Sequence, residues 1–551
     1  MSLLGQDRSN AVAKVFSLPE ICQRIAHVLD RSTIAACLRV SRACNAAWLP
    51  ILWYTIDAGK HWHHPAFRNS LSKHSGLIRI LKCSRYDDIS LLFNTQSNKD
   101  TLCENLLTLV LPKTTLINQK DHVRLLLQNP QLRDLSLTFH DDPSSHYSAL
   151  VDAVGELRFL RRLAFDENKT LQVSTLETIL TQCNSSLQEL SFKGTHAYKH
   201  PFGSGEEFAS GLLPIASAPE QITDGIRNLS QDTEIEIKGS FGILSLCMDN
   251  VACTQDLLLN LGSRFPLLNR LSLRESVEVY FSQDFPERLA RRCPKIKYLD
   301  ISSTEDMDDD TIARLIASFP NLQTFRASDT RFGDRSLVAL IENCRDLTVL
   351  DIGAAYGIQG HMVQLLFERC WSLRRLDAWN VSVNVADMIK EAYGGVKGPS
   401  AIASGRQHLD TSVSNHNSPI TFRQWACHGI ESLAMRFDYD ACVLTEDEQR
   451  LFPPSKARIF VYEQLSKLSK LKYLAITGSL LDAEDQYESG YTNEGDEEDD
   501  TSFDVPEIMW MSKNWPSLVS IQGLHEEDDE LVIEWLREHR PDISLDDEEI
   551  D

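Results

Sequence analysis

One pattern constrains this chain more than any other. The order apolar-x-x-apolar-x-apolar recurs at Leu106-Leu109-Leu111, Leu132-Leu135-Leu137, Leu160-Leu163-Phe165 and Leu187-Leu190-Phe192. It resumes at Phe241-Leu244-Leu246, Leu268-Leu271-Leu273, Ile296-Leu299-Ile301, Leu322-Phe325-Ala327, Leu347-Leu350-Ile352 and Leu373-Leu376-Ala378. The first anchors lie 25 to 28 residues apart, apart from one gap of 54 that holds two periods. A degenerate repeat is therefore expected over roughly 198–238. A fixed period of this size is the mark of a stacked repeat architecture rather than of separate globular cores.

The last two anchors of each unit are two residues apart, so both face one side of a short strand. Between strands lie helical stretches such as 310–318, where Ile312, Leu315 and Ile316 share a side and Asp310 is placed to cap the start. A single strand-plus-helix unit cannot cover its own apolar face; stacking neighbours does. The expected fold is α/β, a solenoid with parallel strands on a concave face and helices on the convex one. Three residues before the first anchors stand Phe265, Cys293, Phe319, Cys344, Cys370, Cys427 and Trp515. Exchange of Cys with Phe and Trp makes this a buried apolar slot, not a redox or metal position. Eight residues after the anchors, short hydrogen-bonding side chains such as Ser276, Thr304 and Thr330 suit the capping of the turn that leaves the strand.

These repeats resemble the leucine-rich-repeat family in its cysteine-containing variety, over about residues 101–383. Weaker candidates precede them at Leu77-Ile80 and follow at Ile430-Leu433-Met435, Leu471-Leu474-Ile476 and Leu518-Ile521, with gaps that imply insertions.

Residues 15–57 do not follow the repeat. Ser17-Leu18-Pro19-Glu20 reads as a capping box with Pro19 in the first turn. Ile21, Ile25, Val28 and Leu29 then trace one helical face. Asp30 or Ser32 can cap a second helix carrying Ile34 and Leu38, and Ser41 a third, stopped by Pro50. Three short helices are a marginal core and call for a partner or a neighbouring domain to complete them. The succession Leu18-Pro19, Ile25, Leu29-Asp30, Val40-Ser41-Arg42, Trp48 and Leu52-Trp53 resembles the F-box family. That resemblance implies docking onto a Skp-family adaptor, and through it a cullin–RING ubiquitin ligase, by Leu18, Pro19, Ile21, Ile25, Leu29, Val40, Leu52 and Trp53.

The expected organisation is an F-box-like segment over 15–57, a linker and first degenerate repeat over 58–100 and the regular solenoid over 101–383. Irregular repeats with a Gly/Ser/Asn-rich insertion follow over 384–481, then an acidic loop over 482–504 and a last repeat with an acidic cap over 505–551. The formal charge of −24 is concentrated: 482–504 holds eleven acids and no Lys or Arg, and 525–551 holds thirteen acids against Arg537 and Arg540. The rest of the chain is close to neutral, and without a basic block a nucleic-acid binder is disfavoured. Either acidic stretch can act as a solubilising segment or attract a basic partner.

No run of 18 apolar residues and no signal-peptide layout is present, and thirteen cysteines without a C-x-x-C pair fit reduced thiols. A cytoplasmic or nuclear protein without membrane partner is expected. His61-Trp62-His63-His64 lacks partners at zinc-site spacing, and Asp306–Asp310 lacks the alternation of a calcium loop, so no metal or other cofactor is expected. No phosphate-binding, metalloprotease, hydrolase or dinucleotide motif is found, and no catalytic residue is assigned. The expected role is a non-catalytic substrate receptor of an SCF-type ligase, with a protein target held by the repeats. Exposed candidates at the strands are Arg274, Arg326, Tyr356 and Trp379. The rivals are a plain repeat scaffold and, from the acidic tail, a resemblance to Ran GTPase-activating proteins.

Overall fold

The computed structural model describes Ile21, Arg24 and Ile25 with residues 28–57, 64–83, 103–114, 119–139, 148–166, 179–183, 186–194, 241–251, 255–276, 281–304, 307–353, 355, 358–394, 423–438, 454–476, 505–522, 524 and 530–545. The chain divides into two compact units, 1–252 with 263–267, and 253–262 with 268–551.

In the first unit, α1 (Arg31–Cys37) and α2 (Arg42–Leu52) lead directly into the strand β1 (Thr55–Asp57). Then come α3 (Pro65–His74), β2 (Ile80–Lys82), β3 (Thr108–Thr114), α4 (Gln119–Leu127) and β4 (Asp134–Phe139). The unit continues with α5 (Ser148–Gly155), β5 (Arg162–Asp166), β6 (Glu189–Lys193) and β7 (Ser245–Asp249). Its strands pair in chain order, all parallel. The repeat ladder thus begins at Thr55, inside the segment that does not carry the repeat pattern.

The second unit takes residues 255–262 of α6 (Gln255–Arg264), then β8 (Arg270–Ser272), α7 (Phe285–Arg292), β9 (Tyr298–Asp300), α8 (Asp309–Ser318) and β10 (Thr324–Arg326). It goes on through α9 (Asp334–Asn343), β11 (Val349–Asp351), α10 (Gly360–Arg369), β12 (Arg375–Asn384) and α11 (Val385–Gly394). It finishes with β13 (Ser432–Asp438), α12 (Pro454–Leu465), β14 (Tyr473–Ile476), α13 (Val505–Asn514), β15 (Ser520–Gln522) and α14 (Glu530–His539). From β8 to β15 the strands again pair in parallel and in chain order.

Burial explains why the repeat specifies this ladder. The anchors Leu109, Leu135, Leu163, Leu190, Leu299, Phe325, Leu350 and Leu376 pair across neighbouring strands and are all buried. Each such side chain withdraws apolar area worth about 1.5–3 kcal/mol, an upper bound before chain entropy is set against it. The backbone reinforces the stacking. The Lys297 carbonyl accepts from Gln323 N and Thr324 N at 2.8 and 3.0 Å, and the Arg79 carbonyl serves Leu107 N and Thr108 N in the same way.

The turn that leaves each strand repeats too. Asn250, Glu275, Ser303 and Asp329 have φ of 54°, 55°, 58° and 53°. This left-handed conformation lets the N–H groups of Glu275, Ser303 and Asp329 reach the carbonyls of Ser302, Ser328 and Gly353 in the next repeat. One residue later, Thr304 Oγ1 and Thr330 Oγ1 donate to Ile301 O and Ala327 O at 2.6 and 2.7 Å.

Among the described residues the slot three residues before the first anchor is buried, and Cys103, Asn129, Leu157 and Leu468 extend it beyond the residues the sequence identified. Its cysteines have a polar task as well. Cys293 Sγ contacts Gly262 O at 3.5 Å and Cys344 Sγ contacts Phe319 O at 3.8 Å, at helix ends of the preceding repeats. Asn129 does the equivalent work in the first unit, accepting from Leu106 N and donating to Leu125 O, both at 2.8 Å.

Four sequence expectations need correction. Strand pairing sets Leu246 opposite Leu190 and Met248 opposite Phe192, so the anchors there are Ile243-Leu246-Met248, two residues beyond Phe241-Leu244-Leu246. Leu81 pairs with Leu109, which makes the early repeat Ile78-Leu81-Cys83 rather than one on Leu77-Ile80. The cap of α8 is Asp308, whose carboxylate accepts from Thr311 N at 2.8 Å; Asp310 lies inside the helix and pairs with Arg335. Pro50 does not stop α2, which continues to Leu52 because a proline in the last turn forfeits only one bond and Trp53 N still reaches Leu49 O.

Candidate binding surfaces

The front helices are capped as their sequence suggests. Asp30 accepts from Thr33 N at 2.7 Å and from the Ser32 and Thr33 hydroxyls, and these bonds hold its carboxyl down to about 2. Ser41 Oγ accepts from Cys44 N at 3.0 Å. Ile34 and Trp48 form a small core onto which Ile25, Leu29, Cys37, Leu38, Ala47, Ile51 and Leu52 pack. Arg31 donates to the Thr55 carbonyl, tying α1 to the first strand.

The structure therefore separates the residues assigned to adaptor docking. Ile25, Leu29 and Leu52 are committed to the segment's own core, and Ile21 is half-buried. Val40 stands 74% exposed, joined by Val28 at 81%, which the helical pattern had placed with the inward-facing residues. Trp53 turns toward α3, its ring 4.9 Å from His74 and 6.4 Å from Phe67 between centroids. Burial, and then Lys73, lower the His74 pKa. Leu18 and Pro19 lie outside the described residues, as do His61–His63, residues 395–420 and the 482–504 acidic stretch.

A second surface is the strand face of the second unit. Flanking the buried anchors, adjacent strands set Tyr298, Asp300, Arg326, Asp351, Arg375 and Asp377 side by side, Asp300 buried and the other five half-buried. The Arg270 guanidinium lies 3.8 Å from the Tyr298 ring centroid, and that of Arg326 lies 6.0 Å from it. Tyr298 Oη donates to Asp300 at 3.1 Å; burial and the neighbouring carboxylate push its pKa up to about 12. Burial, then Asp351 on the adjacent strand, raise the Asp377 pKa, with Arg375 opposing.

Of the exposed candidates expected from sequence, Trp379 is 52% exposed and lies over Gly353, where a Cβ would come within 2.9 Å of its ring. Arg326 joins this row but is half-buried rather than exposed, whereas Arg274 is paired with its neighbour Glu275. Tyr356 lies outside the described residues. The sequence had not singled out Arg270, Tyr298, Asp300, Asp351, Arg375 or Asp377. Their signal was there, since each flanks the second anchor of a repeat. Such a face, with rings and paired charges held on a rigid ladder, suits recognition of another macromolecule. Among the described residues, no three His, Cys, Asp or Glu side chains converge as a metal site, and no helix is long and apolar enough to cross a membrane.

No family model matches the sequence, and no curated protein matches it. Comparison with solved structures gives only distant likenesses. An internalin from Listeria monocytogenes is 14% identical over 72% of this chain and 78% of its own, with a TM-score of 0.34. Rad7, in its complex with Elc1 from yeast, is 11% identical over 98% of this chain and 95% of that one, at 0.38. The leucine-rich-repeat protein LegL7 of Legionella pneumophila is 12% identical over 52% and 78%, at 0.30. The fold is a leucine-rich-repeat solenoid, as the parallel ladder and its repeated turn define it.

Proposed function

We propose that the protein is a substrate-recognition subunit of an SCF-type ubiquitin ligase, with the front helices on a Skp-family adaptor and the repeats on a protein target. The observation that carries the reading is the front segment, an F-box-like order of residues in two capped helices that keep Val28 and Val40 outside their small core. A parallel repeat ladder that starts at Thr55, directly after these helices, supports a role in which the front segment docks and the repeats recognise. No catalytic group is required. Holding a target beside a ubiquitin-charged enzyme raises the effective concentration of the reacting amine.

The test is capture of a purified Skp-family adaptor by the full chain, by the Leu18→Ala/Pro19→Ala double variant and by Val40→Glu. Stoichiometric capture by wild type, lost in the double variant and weakened at least tenfold by Val40→Glu, is the expected result. Failure of wild type to capture the adaptor leaves the second reading, a repeat interaction scaffold. That alternative draws support from Ile25, Leu29 and Leu52 being engaged internally and from β1 following α2 so closely, as in a segment that only caps a solenoid.

A further inference from the structure

On the strand face of the second unit the charges are unevenly partnered. The carboxylates have bonds of their own. Asp300 accepts from Tyr298 Oη and from Ser302 N, both at 3.1 Å, and Asp351 accepts from Ser328 Oγ. Asp377 lies 3.7 Å from Arg375 and accepts from the Trp379 backbone. The guanidinium groups of Arg270 and Arg326 differ. Strands β8 and β10 bring them to the Tyr298 ring from the two sides of β9, with their centres 3.8 and 6.0 Å from its centroid. Neither has an ion pair or a side-chain hydrogen bond among the described residues. Arg326 stands in register with Asp300 on one side and Asp351 on the other, yet it pairs with neither, and its Nε is buried without an acceptor.

A buried donor left unbonded is destabilising, so the ladder holds Arg326 there in spite of that cost. What results is two cationic donor forks brought to one ring, with their hydrogen-bonding capacity free for an anion from outside. Arg270 is exposed and gives access; Arg326 is half-buried, where such a contact is less screened.

The neighbours select the anion. Asp351 and Asp377 follow Arg326 along the same row and disfavour a second negative charge, so a carboxylate fits better than a phosphate. The rest of the face selects its carrier. Trp379, 52% exposed over Gly353, stands on β12, three strands from β9 and on the same face. At about 4.8 Å per strand that is roughly 14 Å, the span of about four extended residues. A small free acid would engage the arginines alone, whereas one polypeptide reaches both features.

We propose that this face binds an extended protein segment carrying an Asp or Glu and, about four residues away, a bulky apolar side chain. The carboxylate is received by Arg270 and Arg326 beside Tyr298, and the apolar group lies on Trp379. The residues between them pass over Asp351 and Asp377 and are uncharged. The site is apart from the adaptor surface and does not rest on the ligase reading, whose own test is adaptor capture.

The experiment uses the full chain and the peptide Gly-Glu-Ser-Ser-Ser-Phe-Gly, capped at both ends and kept in excess, with binding read by saturation-transfer NMR and titrated for Kd. Control peptides replace Glu by Gln, replace Phe by Ser, or remove two of the serines. The parent is expected to bind at least tenfold more tightly than the first two controls and at least threefold more tightly than the shortened one. Arg270→Gln, at an exposed position, and Arg326→Gln should each weaken the parent at least fivefold and leave binding of the Gln peptide unchanged. Trp379→Ser should remove the advantage of the parent over the Ser peptide. Unaltered circular dichroism and thermal midpoint of Arg270→Gln keep folding out of the comparison. A peptide with phosphoserine in place of Glu should bind no tighter than the parent. Absence of binding by wild type overturns the proposal, as does equal binding by wild type and Arg270→Gln, or by the parent and Gln peptides. A tenfold gain with phosphoserine would assign the arginines to phosphate, and a tenfold gain on neutralising 482–504 to Asn and Gln would make the chain's own acids the occupant. Either result also overturns it.

Discussion

The carboxylate of Asp309, in the first turn of α8, caps a helix to which it does not belong. Gly333 N donates to it at 2.9 Å, as do Arg335 N and Ser336 N at 3.0 Å each, so it closes the start of α9 one repeat further on. Gly333 offers no side chain for that purpose, and a Cβ there would meet the Asp309 carboxylate at 2.9 Å. Asp334 repeats the device with Gln359 N at 3.1 Å, at the head of α10. Asp309→Ala should therefore cost about 1–2 kcal/mol, the range of a lost helix cap. Asp309→Asn, which keeps an acceptor, should cost less than half of that. Urea titrations resolving the second unit's transition check both, and an unchanged midpoint for the alanine variant would exclude a capping role.

His122 gives the first unit a pH dependence. It is fully buried on α4, and burial lowers its pKa from 6.5 to about 4. The unfolded chain therefore takes up the proton first. The contribution to stability is complete above about pH 6.5 and is lost as the pH falls toward 4, amounting to about 3 kcal/mol once below it. Thermal melts between pH 7 and 4 should show this loss, and His122→Leu should reduce it.

The buried cysteines should be inert. Burial pushes the thiols of Cys103, Cys293, Cys344, Cys370 and Cys427 up to about 12, so almost no thiolate exists at pH 8. Cys37 and Cys44 are only half-buried on the front helices. Alkylation of the native chain followed by peptide mass mapping should label Cys37 and Cys44 and leave the other five until denaturant is added. Rapid native labelling of Cys344 or Cys370 would contradict the packed slot.

Close backbone approach makes Gly360 hard to replace. A Cβ at Gly360 would come within 2.1 Å of the Asn384 carbonyl oxygen, a backbone atom that cannot swing aside, whereas at Gly242 it would meet nothing within 4 Å. Gly360→Ala should destabilise the second unit by about 1–3 kcal/mol, the usual cost of overpacking. Gly242→Ala should stay within about 0.5 kcal/mol of wild type, as surface substitutions do. Parallel urea titrations of the two variants make the comparison.

Much of this architecture was legible because each repeat is a local unit, with anchors, turn and filler written within 25 to 28 residues. The errors share a cause: a local pattern can be satisfied in more than one way. Phe241-Leu244-Leu246 and Ile243-Leu246-Met248 both fit apolar-x-x-apolar-x-apolar, and only pairing with Leu190 and Phe192 decides between them. Among consecutive aspartates, composition cannot say that Asp308 caps its own helix and Asp309 the next. That assignment belongs to stacking across 24 to 28 residues, as does the neighbourhood of Tyr298 and Arg326.

The far end of the second unit bears on how molecules of this protein meet one another. Ser544 bridges Ser520: Ile521 N donates to its carbonyl, its own N donates to Val519 O, and Arg540 reaches Leu518 O at 2.9 Å. Behind that bridge α14 buries Val532, Ile533 and Leu536. A chain cut after residue 529 would leave the edge of β15 as an unclaimed row of donors and acceptors beside bare Ile521. Such an edge recruits strands from other molecules, so losing residues 530–551 would turn a covered edge into a template for filament growth.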